Sequence, residues 1–182
     1  MRLPIPTRDE LPPYAEEAAA ELIKNVGFVP ELHRALAMSP AVLAGFRAMQ
    51  KASADMLDLK TRLKIAIAVS QKNGCAYCVQ AHSFAAMNHA HVSPGGIEMA
   101  RMGRAEAPKA NAAISFALRV LESVGSISND DLAGVRAAGF TDAEVIEIIA
   151  LVAQFTFTNL VNNVLATEPD FPAMHVKTLS TQ

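Results

Sequence analysis

The run Leu63-Lys64-Ile65-Ala66-Ile67-Ala68-Val69 is apolar on nearly every side and gives way to Asn73-Gly74. A helix of that kind has no face to present to water, so it belongs in the middle of a domain with other helices packed around it. The remaining hydrophobic periods are helical as well. The one Asn-Gly pair joins two helical segments rather than two alternating strands, and no repeat of solenoid period is visible. The chain therefore reads as all-α, with one domain over 1–182.

Start and stop signals place the other helices. Segments 1–13 and 168–182 are proline-interrupted and read as extended N- and C-terminal arms. Helices are expected from Tyr14 to Val26, from Glu31 to Ala37 behind Pro30, and from the Ser39-Pro40 cap to Ser53. The central helix starts at Asp58 or Thr61. Later helices begin at Cys75, at Ser93-Pro94, after Pro108 and at Ser128 with Asp131. The last runs from Asp142 to about Ala166 behind a Thr141/Glu144 capping box. Glu147, Gln154, Asn159, Asn162 and Asn163 interrupt its apolar pattern, so it is expected to be a core helix rather than a membrane span. Met87, Met99 and Met102 read as adaptable core filling.

Composition narrows the function classes. With 182 residues the chain can bury a sizeable core, and 51% hydrophobic but only 5% aromatic residues suit close helix packing. A net charge of −2 offers no footprint for nucleic acid or an anionic membrane surface. Met1-Arg2-Leu3-Pro4-Ile5-Pro6 lacks the continuous apolar run of a signal peptide, which makes the cytosol the expected compartment. There, a cysteine pair is a redox or catalytic device before it is a structural staple.

Both cysteines of the chain lie in Asn73-Gly74-Cys75-Ala76-Tyr77-Cys78-Val79-Gln80-Ala81-His82, inside a core region of 39–104. On a helix starting at Cys75, positions 75, 78 and 82 share one face. The first turn favours thiolate over thiol, so Cys78 is expected to have a lowered pKa. Two thiols close enough to join, with an imidazole one turn on, form a redox couple with its own proton carrier. Zinc competes for the same residues but wants four ligands, and only His89 and His91 are near enough in sequence to complete a set; no metal or cofactor is expected. The βαβ pattern of a thioredoxin-like fold is missing.

This motif resembles the core of the carboxymuconolactone decarboxylase-like family, in its alkyl hydroperoxidase AhpD-like, peroxidase-related branch. The likeness extends through Leu57 to His82 with Val69-Ser70, and through Gly27-Phe28-Val29-Pro30, Gly139-Phe140-Thr141-Asp142, Phe157-Thr158-Asn159 to Asn162, and Thr167-Glu168-Pro169-Asp170-Phe171-Pro172. It implies the AhpD-like helical fold, assembled as a homo-oligomer, a trimer or hexamer. It also implies a thiol-dependent peroxidase of antioxidant defence. Cys78 would be the peroxidatic nucleophile, Cys75 the resolving thiol and His82 the proton relay. The substrate would be a small hydroperoxide, and the electrons would come from a lipoyl protein or a thioredoxin-type donor. A redox-sensing or disulfide-exchange module is the alternative, and lactone decarboxylation is disfavoured because those members do not run on a C-x-x-C pair.

The chain departs from the family pattern at three places. Leu63 stands where the relay glutamate is usual, Tyr77 where the best-known members carry histidine, and Asn163 where the branch often has histidine. Glu144 or Glu147, from the last helix, or a water is the expected replacement for the glutamate. Asn159, Asn162 and Asn163 are expected to serve inter-helix hydrogen bonding before chemistry. His33 and His175 read as surface or capping residues, and His89 and His91 as helix-end cations.

Overall fold

The computed structural model describes residues 2–171, which hold nine α-helices and no strand. They are α1 (Glu16–Val26), α2 (Glu31–Leu36), α3 (Pro40–Ser53), α4 (Leu59–Lys72), α5 (Ala76–Ala90), α6 (Pro94–Arg101), α7 (Pro108–Glu122), α8 (Asn129–Ala137) and α9 (Asp142–Leu165). The fold is all-α, as the periodicity requires. His175 and the chain beyond Phe171 lie outside the described residues.

The central helix is α4, which packs against α5, α6, α7 and α9. Ile65, Ala66, Ile67, Val69 and Ser70 on it have no exposed surface, so the all-round apolar pattern reflects burial on every side. It starts at Asp58, whose carboxylate accepts the Thr61 N–H at 3.0 Å. It ends in a tight reversal in which Gly74 takes φ +65° and the Cys75 N–H reaches back to the Ser70 carbonyl at 3.0 Å. No atom would crowd a side chain at position 74, so glycine is required there for its left-handed backbone alone.

Two large apolar clusters make up most of the core, and α4 belongs to the first. One joins it to α7, α8 and α9 through Ile65, Val69, Ile114, Phe116, Ile148 and Leu151. The other is built by the N-terminal arm and α1 to α3, and takes in Cys75, Tyr77 and Cys78. The arm is not free: Ile5 and Leu11 are buried, and the Arg2 N–H donates to the Leu165 carbonyl at 3.1 Å. It also contains a short turn of 3-10 helix at Arg8–Glu10, and another at Pro13–Ala15 delays α1 to Glu16. Pro12 and Pro13 pre-set the backbone of the second turn, while the first is closed by the Glu10 carboxylate accepting the Thr7 N–H.

Hydrogen bonds along α9 fix its register on α4. The Glu147 carboxylate accepts the Leu57 N–H, Asn159 donates to the Ser70 hydroxyl, and Asn163 donates to the Asn73 carbonyl. The two helices therefore run parallel, with α5 folded back beside them. By length and composition α9 could cross a bilayer. Here its inner face carries buried Gln154, Thr158, Asn159 and Asn162 against the other helices. Its opposite face leaves Ile146, Ile149, Phe157, Leu160 and Val164 exposed at helical spacings of three or four, with Ala153 between Ile149 and Phe157.

Candidate functional site

The helix expected to start at Cys75 begins one residue later, and Cys75 is its N-cap. The difference matters chemically, because the Cys75 sulfur accepts the Cys78 backbone N–H at 3.2 Å. An orphan donor of the first turn is thereby spent on sulfur. Cys75 and Cys78 are joined as a disulfide, with Cα atoms 5.3 Å apart. That separation is within the ordinary range for a bridged pair, so little backbone movement separates the dithiol from the disulfide.

The two sulfurs have different surroundings. Both residues are buried, at 1% exposure for Cys75 and 3% for Cys78. Only Cys78 lines the cavity of about 380 Å³ that lies between α1 to α5 and α9. Its sulfur also accepts the side-chain amide of Asn162 at 3.1 Å. The orientation of that amide is fixed, because the Asn162 carbonyl oxygen takes the Thr167 hydroxyl at 2.7 Å. Asn159 and Asn163 make the inter-helix bonds expected of them. Asn162 does more than that. Its contact with sulfur depends on the α5–α9 register, which a single sequence does not display.

His82 lines the same cavity one turn beyond Cys78, and its ring packs edge-on to Phe155 with centroids 5.2 Å apart. Burial pushes its pKa down to about 4. In the disulfide form the imidazole is therefore neutral, since no anion is near enough to favour its charge. The expectation that Glu144 or Glu147 supports it fails. Glu144 closes the α9 capping box and pairs with Lys109, while Glu147 accepts the Leu57 N–H. Neither lines the cavity; Leu63 does. Where the family's usual glutamate would stand, this chain has an aliphatic wall.

His33 is misplaced by the sequence reading. Instead of capping a surface helix end, it lines the cavity and packs edge-on to Phe46 at 5.9 Å. Both ring nitrogens are buried without a partner, and burial lowers its pKa to about 4. Its signal was available only as a histidine on the same face of α2 as Leu32 and Leu36. Tyr77, at the position where family members can carry histidine, also lines the cavity, with its hydroxyl directed to α2. Its hydroxyl accepts the Leu32 N–H at 3.4 Å, and burial followed by the nearby Asp170 carboxylate pushes its pKa well above the ordinary phenol value. It therefore stays protonated and structural. His89 and His91 lie at the far end of α5, a helix length of about 22 Å from Cys75, and cannot complete a metal set with the sulfurs. Met102 is exposed rather than core.

The segment after α9 closes the cavity. Phe171 lies against Phe28, Tyr77 and Phe84, and its carbonyl accepts the Gln80 amide at 2.7 Å. Asp170 accepts the Glu31 N–H at 2.6 Å, and Glu31 in turn accepts the Glu168 N–H at 2.9 Å. Thr167-Glu168-Pro169-Asp170-Phe171 is thus a latch, which explains why so polar a segment can lie on an apolar site.

Residues 20–123 match the Carboxymuconolactone decarboxylase family. An uncharacterized peroxidase-related protein from Ralstonia eutropha JMP134 with an alkylhydroperoxidase AhpD core is 28% identical. It superposes with a TM-score of 0.84 over 93% of this chain and 92% of that one. A peroxidase-related protein from Silicibacter sp. TM1040 is 27% identical, with a TM-score of 0.81 over 93% and 91%. The debrominase Bmp8 shares the fold at 21% identity, with a TM-score of 0.76 over 92% and 90%. No curated protein matches the chain significantly. The helical fold, the C-x-x-C pair on its central hairpin and the match over more than half the sequence make this chain a member of the carboxymuconolactone decarboxylase family, with the AhpD-like fold.

Proposed function

We propose that the protein is a thiol-dependent peroxidase in which Cys78 attacks, Cys75 resolves and His82 handles the proton. The observation that carries this reading is the asymmetry of the pair: the cavity is lined by Cys78 and not by Cys75. A hydroperoxide entering that cavity meets the Cys78 thiolate, which the Asn162 amide and the first turn of α5 stabilise. Attack on the distal oxygen breaks the O–O bond and leaves Cys78 as sulfenic acid; the departing alkoxide takes up a proton and leaves as alcohol. The Cys75 thiol then condenses with the sulfenic acid, forming the disulfide and releasing water. An external dithiol, of lipoyl or thioredoxin type, restores the pair by exchange and is itself oxidised to a disulfide.

His82 is neutral at rest and gains basicity once a thiolate forms one turn away, because an adjacent anion favours the imidazolium. It then holds the proton that the alkoxide needs. The exposed apolar stripe on α9 supports self-association, since a second copy offers the same unpartnered face.

The test is consumption of cumene hydroperoxide with dithiothreitol or dihydrolipoamide. Turnover in the wild type that disappears in Cys78→Ser is the expected result. Reversible disulfide formation without turnover would instead make the pair a redox sensor.

A further inference from the structure

The cavity continues past the sulfur, and its far end has a charge that the chemistry at Cys78 does not use. From Cys78 it follows α5 through His82 and Ala85 to His89, and along α9 from Asn162 to Leu151. Ala85 is seven positions beyond Cys78 on α5, a rise of about 10 Å. Here the exposed residues Gln50, Ala54, Leu59 and His89 form a mouth.

Arg62 lines this end. One of its terminal nitrogens donates to the Ser53 carbonyl, while its Nε is buried with no partner. None of the ion pairs among the described residues includes it. No aspartate or glutamate lines the cavity; its charged or ionisable basic groups are Arg62, His33, His82 and His89. A guanidinium held against apolar walls without a carboxylate is an uncompensated charge, and a carboxylate is the group its planar donors fit. The walls between Arg62 and the sulfur are mainly aliphatic and aromatic, including Leu63, Leu151, Phe155 and Ala85, with Gln154 and Thr158 of α9 as polar members.

We propose that the cavity binds a medium-chain amphiphile, with its carboxylate at Arg62 and its chain reaching toward Cys78. This rests on the peroxidase reading for its consequence, namely that the preferred substrate is a fatty-acid hydroperoxide rather than hydrogen peroxide or an uncharged alkyl hydroperoxide. Binding itself does not depend on turnover.

Two measurements keep these apart. The first is calorimetric titration of the oxidised protein with decanoate, methyl decanoate and decan-1-ol. Saturable binding of decanoate, at least tenfold tighter than either neutral analogue, is expected in the wild type. Arg62→Gln should abolish the difference and Arg62→Lys restore part of it. Equal binding of all three, or no saturable binding of any, overturns the proposal, and the wild-type comparison requires no variant to fold. The second compares kcat/KM for a medium-chain hydroperoxy acid with that of its methyl ester. A preference for the acid that collapses in Arg62→Gln confirms the substrate assignment. Charge-selective decanoate binding with no turnover of either compound retains the site and removes the peroxidase reading. Turnover without preference removes the substrate assignment.

Discussion

The half of the molecule built by α4, α7, α8 and the first turns of α9 differs from the half built by the N-terminal arm and α1 to α3. In the first, Ile114, Ala113, Ala117 and Ile148 pack without exposed surface, and the helix starts are closed by the Ser128 and Thr141 capping boxes. Most of the buried polar atoms without partners lie in or against the second: Glu31 Oε1, both nitrogens of His33, Asp170 Oδ1 in the latch and, on the α4 wall facing it, Arg62 Nε; the exception is Thr156 Oγ1 on α9. Natural cores pair their polar groups, so the orphans at His33 and Arg62, which both line the cavity, mark where stability has given way to use. The two halves should therefore respond oppositely to the same kind of change.

The largest effect is on turnover. Cys78→Ser should remove hydroperoxide reduction altogether, while Cys75→Ser should allow one stoichiometric oxidation and then stop, as read by a burst of alcohol product. Next is stability in the dry half: Ile148→Ala should cost about 3 kcal/mol in urea unfolding, the usual cost of a cavity at a fully buried site. By contrast, His33→Phe should leave the urea midpoint unchanged or raise it, because it removes two unpaired nitrogens, yet reduce hydroperoxide turnover. A loss comparable to that of Ile148→Ala would erase the distinction between the halves.

A smaller effect follows from pH. His33 and His82 each have a pKa of about 4 in the folded chain against an ordinary 6.5. Between those values the unfolded chain binds more protons, so stability is complete above about 6.5 and declines as pH falls toward 4. Urea midpoints of the oxidised protein at pH 7 and pH 5 should show the decline, and His33→Phe should lessen it. The smallest expected change is Gly74→Ala, about 1 kcal/mol of destabilisation from the left-handed backbone, with no loss of contacts.

Much of the fold is legible in the residues themselves, because helix signals are local. Asp58, Ser93, Ser128 and Thr141 each cap the helix that follows, and the apolar run in α4 announces its own burial. The site is legible only along α5, where Cys75, Cys78 and His82 are set by helical spacing. Asn162 reaches Cys78 from 84 positions away, and His33 reaches the cavity by tertiary packing, so neither has a local signature. Glu144 and Glu147 illustrate the opposite error. Acids near the start of a helix are drawn to unsatisfied backbone donors, and these two are occupied by Thr141 and Leu57.

The most direct measurement is the location of the first oxidised sulfur. After one equivalent of hydroperoxide in the presence of dimedone, mass spectrometry of Cys75→Ser should find the sulfenic acid adduct on Cys78, and Cys78→Ser should give none on Cys75. An adduct on Cys75 in the Cys78→Ser protein, formed as fast as the expected one, would contradict the account of a cavity that exposes a single sulfur.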